Sequence, residues 1–147
     1  MRQSVCPACG AVNRLPEAKD PLAAKCGRCG RPLFDGAPTE VSGAQLLAHR
    51  RSTRGGALLV DVWAPWCGPC RAMAPQFAAA APRLEPAVRL LKLNSDADPE
   101  ASTELRVQGI PTLILFADGR EVARRSGAMT ADQIVAWAGH ALARGAA

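Results

Sequence analysis

The sequence is poor in aromatic residues and lacks any apolar run long enough to cross a membrane. Its 147 residues include no tyrosine, and aromatic residues make up only 4% of the chain. A membrane-spanning helix needs about 20 consecutive apolar residues, and the apolar runs here are far shorter. The first ten residues hold one arginine, two cysteines and no apolar stretch. We therefore expect neither a secretory signal peptide nor a membrane partner.

The net positive charge is also too small to predict a nucleic-acid partner. The net charge is +5, and residues 1–36 contribute +3 of it, from six Lys or Arg and three Asp or Glu. A divalent metal on four thiolates would add −2 and bring this segment close to neutral. Phe34 is its only aromatic residue, so no surface for stacking bases is expected. No nucleotide or flavin motif is visible, which predicts no organic cofactor.

Cysteine, by contrast, is abundant. Six cysteines in a chain without an export signal indicate a reducing compartment, where cysteine pairs serve more often as metal ligands or catalytic thiols than as structural disulfides. We therefore expect a cytoplasmic protein. The cysteines fall into two groups, because four lie within the first 30 residues and two stand alone at Cys67 and Cys70.

The first group has the spacing of a zinc site. Cys6-Pro-Ala-Cys9 and Cys26-Gly-Arg-Cys29 are two Cys-x-x-Cys motifs separated by 16 residues, a pattern typical of four-cysteine zinc ribbons. A glycine follows each motif, which favours a tight turn that points backbone N–H groups at sulfur. The alternatives are two disulfides, four free thiols, or iron held by the same four ligands.

A short segment of this composition needs a cross-link, such as a bound metal ion, in order to fold. Residues 1–36 lack apolar periodicity, and so short a segment cannot bury enough surface to fold unaided. A turn sequence, Asp35-Gly-Ala-Pro38, marks its end. We therefore predict two domains, a zinc-binding ribbon over 1–36 and a larger domain over 37–147.

Strands and helices alternate after this turn, which predicts an α/β fold with a mixed central sheet flanked by helices. Continuous apolar runs predict buried strands, polar capping motifs predict helix starts, and Asp118-Gly119 predicts a hairpin. Arg124 and Arg125 are expected to lie on a solvated face. The predicted strands are 39–41, 57–63, 88–93, 112–116 and 121–125, and the predicted helices are 43–51, 67–81, 99–106 and one that begins after Thr130.

The second cysteine pair has the form of a thiol redox centre. Cys67 falls at the start of a predicted helix, where free backbone N–H groups and the helix dipole stabilise a thiolate. We expect Cys67 to attack a substrate disulfide and Cys70, one turn further along, to resolve the mixed disulfide. Pro69 stiffens the loop between them. The alternative is a metal-binding motif or an accidental pair.

Two charged residues lie inside buried strands and point to the same chemistry. Asp61 is surrounded by apolar residues, so burial should raise its pKa and let it accept the proton of Cys70. Lys92 lies within Leu90–Leu93, and if the two strands are neighbours it could tune Asp61. The alternatives are a structural ion pair, or a lysine whose end reaches the surface.

Residues 57–142 resemble the thioredoxin family over their whole length. The resemblance implies a thioredoxin fold, a cis peptide before Pro111, and a substrate-binding surface formed by Trp66, Gly68, Pro69, Ile110, Pro111 and Gly127. The matching residues, in order and spacing, are Asp61, Trp63, Trp66-Cys-Gly-Pro-Cys70, Pro75, Lys92, Asp96, Ile110-Pro-Thr112, Gly119 and Gly127.

A zinc ribbon ahead of such a domain resembles the thioredoxin 2 subgroup of bacterial thioredoxins. This resemblance implies a monomeric protein-disulfide reductase that holds one structural or regulatory zinc ion and is recharged by a separate thioredoxin reductase. Two other functions stay open at this point. One is an oxidase or isomerase of the export pathway, and the other is a zinc-ribbon module that binds protein or nucleic acid on a thioredoxin scaffold.

Overall fold

A computed structural model describes residues 2–145. Within them, none of the helices combines the length and apolarity needed to cross a membrane. The elements, in chain order, are β1 (Arg2–Val5), β2 (Val12–Leu15), a 3-10 turn (Pro21–Ala23), β3 (Thr39–Glu40), α1 (Gly43–Ser52), β4 (Ala57–Trp63), α2 (Gly68–Leu84), β5 (Val88–Asn94), α3 (Pro99–Glu104), β6 (Thr112–Ala117), β7 (Arg120–Ser126) and α4 (Ala131–Gly145).

A five-stranded mixed sheet with the order β3-β5-β4-β6-β7 forms the centre of the molecule. Strand β5 runs parallel to both β3 and β4, whereas β6 runs antiparallel to β4 and β7. The predicted α/β class and the predicted order of elements after residue 38 are therefore confirmed.

Helices cover both faces of β4, which explains its nearly continuous apolar sequence. Side chains alternate across a strand, so Ala57 and Leu59 join the core beneath α2 and α4. Leu58 and Val60 join the core on the opposite face, beneath α1 and α3. The end of β4 thus emerges between two packed layers and leads directly into the segment that contains Cys67.

The helix starts follow the predicted capping motifs, but two helix ends differ from the prediction. Ser42 and Gln45 form a reciprocal capping box at the start of α1. Helix α2 continues to Leu84, three residues beyond the predicted end. Helix α3 ends at Glu104, because Arg106 takes a left-handed conformation with φ of 57° that cannot continue a helix.

The N-terminal segment contains an antiparallel hairpin that its sequence does not indicate. β1 pairs with β2 over four residues each, too short a length for alternation to be recognised. Its small apolar core consists of Cys6, Leu15, Ala24, Cys26, Leu33 and Phe34. Two of the four cysteines predicted as metal ligands, Cys6 and Cys26, therefore supply part of this core.

A buried arginine of β5 attaches this segment to the central sheet. Arg89 is only 4% exposed, and burial lowers its pKa to about 10. Its guanidinium donates a hydrogen bond to the Leu33 carbonyl at 2.8 Å and lies 4.5 Å from the centre of the Phe34 ring. Arg2 lies over the same ring at 5.1 Å. Phe34 therefore joins the N-terminal segment to the sheet through its cation–π contact with Arg89, whereas its contact with Arg2 of β1 lies within the segment.

We expect Phe34→Ala to lower the free energy of unfolding by about 3 kcal/mol, because the change opens a cavity and removes both ring contacts. Urea denaturation of the full chain measures it. Leu22→Ala is the control, since Leu22 is 54% exposed and its loss should cost less than about 0.5 kcal/mol. Equal losses in the two variants would contradict this account.

Candidate functional site

Cys67 is the N-cap residue of α2, so its sulfur lies where the helix presents free N–H groups. The Cys70 N–H donates to Cys67 Sγ at 3.2 Å. The two cysteines form a disulfide with 5.2 Å between their Cα atoms. Gly68 and Pro69 occupy the first turn, where a proline costs no hydrogen bond because its N–H would be unpaired there.

Both sulfurs are shielded, and the exposed group beside them is an indole. Cys67 is 4% exposed and Cys70 is 2% exposed, whereas Trp66 is 67% exposed. The Trp66 ring is oriented by its Nε1, which donates to the Asp96 carboxylate at 3.1 Å. Cys67 Sγ lies 3.8 Å from the Ile110 carbonyl oxygen. A partner must therefore approach the disulfide across Trp66 and the segment around Ile110.

A cavity of about 480 Å³ lies at this approach. Four of the six residues predicted to bind substrate line it. Of the other two, Pro111 is buried and follows a cis peptide, and the Gly127 N–H donates to the Pro111 carbonyl at 2.9 Å. The lining residues are Trp66, Cys67, Gly68, Pro69, Ser102, Val107, Gln108, Gly109 and Ile110.

Asp61 is buried on the face of the sheet that α2 covers. It lies two residues after Leu59 and two before Trp63, so all three point to the same face. Its exposure is 1%, and neither carboxylate oxygen has a hydrogen-bond partner among the described residues. Burial raises the pKa of Asp61 to about 7; Lys92 opposes this rise and Glu40 adds to it. A carboxylate of this kind exchanges a proton near neutral pH.

Lys92 lies beside Asp61 without a hydrogen bond to it. The two residues are direct partners in the parallel pairing of β4 with β5. The Lys92 ammonium packs against Trp63 instead, 4.7 Å from the ring centre. On its other side Lys92 pairs with Glu40 of β3. The positive charge of Lys92 therefore interacts with two carboxylates, Asp61 and Glu40, which lie on either side of it.

The four N-terminal cysteines form a second cluster, which could hold a metal ion. All four sulfurs lie within 4.8 Å of one another. Cys6 and Cys29 are 3.7 Å apart and Cys9 and Cys26 are 3.6 Å apart, and none is disulfide-bonded. A tetrahedron with metal–sulfur bonds of about 2.3 Å has edges of about 3.8 Å. The set therefore fits a tetrahedral thiolate site and differs from the two-disulfide alternative.

The turns that shape this cluster agree with the glycine positions, but one polar contact was not predicted. Gly10 and Gly30 both have φ of 79°, and each closes a turn onto the first cysteine of its motif. Asn13 donates to Cys26 Sγ at 3.5 Å and accepts from the Gly27 N–H at 2.9 Å. The backbone of Cys29 and the Asn13 amide lower the pKa of Cys26 to about 6. Nothing in the spacing of the cysteines identifies Asn13.

Comparison with known families matches both parts of the chain. The thioredoxin family model matches residues 48–140. The chain belongs to the thioredoxin family. A zinc-ribbon family described as "Thioredoxin 2, N-terminal" matches residues 5–31. The position of the Cys67–Cys70 pair is that of the family's active site, and the chain is accordingly a protein-disulfide oxidoreductase.

Curated relatives and solved structures agree with this assignment. Thioredoxin C-3 of Corynebacterium nephridii is 40% identical over 133 residues, 90% of each chain. The thioredoxin of Chlamydia muridarum is 46% identical over 84 residues, 57% of this chain and 81% of that protein. Chloroplastic thioredoxin z superposes with a TM-score of 0.63 at 31% identity, over 73% of this chain and 96% of that one. A mutant thioredoxin from Halobacterium salinarum superposes with a TM-score of 0.65 at 27% identity, over 73% and 92%.

We expect Asp61→Asn to stabilise this thioredoxin in a pH-dependent way. The folded protein holds the Asp61 proton more tightly than the unfolded chain does, so the free energy of unfolding falls as pH rises from about 4 to about 7. The variant has no carboxyl group at this position, so its free energy of unfolding does not fall for this reason. At pH 8 its free energy of unfolding should exceed that of the wild type by a few kcal/mol, since each pKa unit corresponds to about 1.4 kcal/mol. This difference should shrink towards pH 4. Urea unfolding at both pH values measures it, and an equal gain at both would contradict the argument.

Proposed function

We propose that this thioredoxin reduces protein disulfides with Cys67 as the nucleophile and Cys70 as the resolving thiol. The observation that carries the proposal is the position of Cys67 Sγ. It caps α2 and accepts the Cys70 N–H, an arrangement that stabilises a thiolate beside an open cavity.

In the first step the Cys67 thiolate attacks one sulfur of the substrate disulfide. A bond forms between Cys67 Sγ and that sulfur, the substrate S–S bond breaks, and the other substrate sulfur leaves as a thiolate. The substrate's backbone is held near Cys67 by a surface that consists of Trp66, Gly68, Pro69, Ile110, Pro111 and Gly127.

In the second step Cys70 attacks Cys67 Sγ. The Cys67–Cys70 disulfide forms, the mixed disulfide breaks, and the second substrate sulfur leaves as a thiolate. Cys70 must lose its proton as it attacks, and Asp61 accepts that proton because its pKa of about 7 suits proton transfer near neutral pH. Lys92 tunes this acceptor, since its charge favours the ionised form of Asp61.

The oxidised pair is then recharged by another protein. Two electrons and two protons return it to the dithiol, and we assign their delivery to a thioredoxin reductase that draws on NADPH. No organic cofactor is assigned to this chain. We propose that it acts as a monomer in the cytoplasm, where thiolates such as those of the four-cysteine cluster remain reduced.

The N-terminal cluster is proposed to hold one structural zinc ion, with Cys6, Cys9, Cys26 and Cys29 as ligands. Four soft thiolates at tetrahedral spacing favour zinc. Bound zinc would supply the cross-links that a 36-residue segment needs to fold. We propose 1–36 as this ribbon and 37–147 as the catalytic domain.

We expect Cys67→Ser to abolish reduction of insulin disulfides in an assay coupled to NADPH and a thioredoxin reductase, because no thiolate remains to attack. A Cys6→Ser/Cys9→Ser double variant should retain activity at temperatures where it stays folded, since the ribbon takes no part in the exchange. The rate of NADPH consumption, followed by its absorbance, measures both.

Activity that survives in Cys67→Ser would contradict the assigned nucleophile. A wild type without activity would remove the reductase proposal and favour an oxidase, which refolding of reduced ribonuclease would then reveal.

We expect the purified wild type to hold one zinc ion per chain, measured by elemental analysis, and Cys26→Ala to lose it because three thiolates leave the tetrahedron open. Cys70→Ala is the matched control, since it removes a cysteine outside the cluster and should keep its zinc. Iron in place of zinc, or equal zinc in the two variants, would contradict this assignment.

A further inference from the structure

Arg124 of β7 lies on an exposed face, as its sequence context predicts, and its side chain also contacts the backbone of a different segment. It donates to the Leu105 carbonyl at 2.8 Å and to the Arg106 carbonyl at 3.3 Å. Glu121, three residues earlier on the same strand, accepts from Arg124 through both carboxylate oxygens at 2.6 and 2.7 Å. This two-point ion pair orients the guanidinium, and the side chains of Arg124 and Glu121 remain 32% and 38% exposed.

The two carbonyls belong to Leu105, the C-cap residue of α3, and to Arg106 directly after it, so they lie at the C-terminal end of the helix dipole. The last carbonyls of a helix lack intrahelical donors, and a cation near them is favourable. Arg106 there has φ of 57°, a conformation that costs about 1 kcal/mol or more for a residue with a side chain. Such a conformation persists only where the surroundings enforce it, and Arg124 supplies hydrogen bonds on both sides of the turn.

This turn leads directly into one wall of the cavity beside the redox pair. Val107, Gln108, Gly109 and Ile110 line the cavity together with Trp66 and Pro69. Within this wall Ile110 carries the carbonyl that lies 3.8 Å from Cys67 Sγ. A shift of the 105–106 turn would therefore move the surface on which an extended substrate segment must lie.

We propose that Arg124, oriented by Glu121, is a positioning residue that fixes the 105–110 wall and thereby sets the affinity for protein substrates. The proposal rests on the reductase function proposed above. It concerns substrates that span the cavity, because a small disulfide reaches Cys67 without lying along this wall.

The test compares Arg124→Gln with Arg125→Gln, the same change at the neighbouring residue of β7. With insulin as substrate we expect KM to rise several-fold in Arg124→Gln while kcat changes little, and neither to change in Arg125→Gln. With 5,5′-dithiobis(2-nitrobenzoate), a small disulfide, the wild type, Arg124→Gln and Arg125→Gln should react at the same rate. Arg124→Lys keeps the charge but lacks the planar fork, so its KM should be intermediate.

Amide hydrogen exchange provides a readout that overall stability does not move. We expect faster exchange confined to residues 105–110 in Arg124→Gln, with β4 and β6 unchanged. An unchanged insulin KM, or an equal rise for insulin and the small disulfide, would overturn the proposal. If Arg124→Gln proves unfolded, the same measurements on Arg124→Lys, compared with Arg125→Gln, test the proposal. A wild type inactive on both substrates would instead refute the reductase function.

Discussion

The contact between the Cys70 N–H and the Cys67 sulfur is the interaction on which the site depends. It exists because α2 begins within a few residues of the end of β4, which fixes the helix start against the sheet. The end of β4 has a fixed position because both faces of the strand are packed, by α2 and α4 on one side and by α1 and α3 on the other. The same burial that stabilises β4 makes a carboxylate within it costly, and this cost is the source of the raised Asp61 pKa.

The electrostatics of Asp61 follow from where the Lys92 ammonium lies. An ammonium hydrogen-bonded to a buried carboxylate would lower the pKa of that carboxylate well below neutral. Here the ammonium packs on the Trp63 ring, and the Asp61 oxygens have no hydrogen-bond partner among the described residues. Glu40, across Lys92 from Asp61, offsets part of the lysine's charge. Desolvation therefore outweighs attraction, and Asp61 can exchange a proton in the range where thiols are attacked.

Features that depend on local pattern could be predicted from the sequence, and features that depend on distant contacts could not. The apolar run of β4, the capping box at Ser42 and the spacing of the six cysteines are local, and each predicted its structure. Arg89 and Arg124 act on carbonyls 56 and 19 residues away in the chain. Their sequence neighbours are an apolar strand and a charged strand, and neither context says that a carbonyl of another segment lies within reach. The predicted α3 is too long because the left-handed Arg106 has no sequence mark of the kind that glycine provides.

The contacts of the N-terminal segment with the sheet limit how a metal bound there could affect the redox pair. Arg89 and Lys92 lie on the same strand, but they are three residues apart and so point to opposite faces of the sheet. Arg89 points away from α2 towards Phe34, whereas Lys92 lies on the α2 face with Asp61. The N-terminal segment reaches β5 through Arg89, and it also contacts the end of α1, where Gln3 donates to the carbonyls of Ser52 and Arg54. In this arrangement the N-terminal segment holds the strand that carries Lys92, and among the described residues no hydrogen bond joins the four N-terminal cysteines to Cys67 or Cys70.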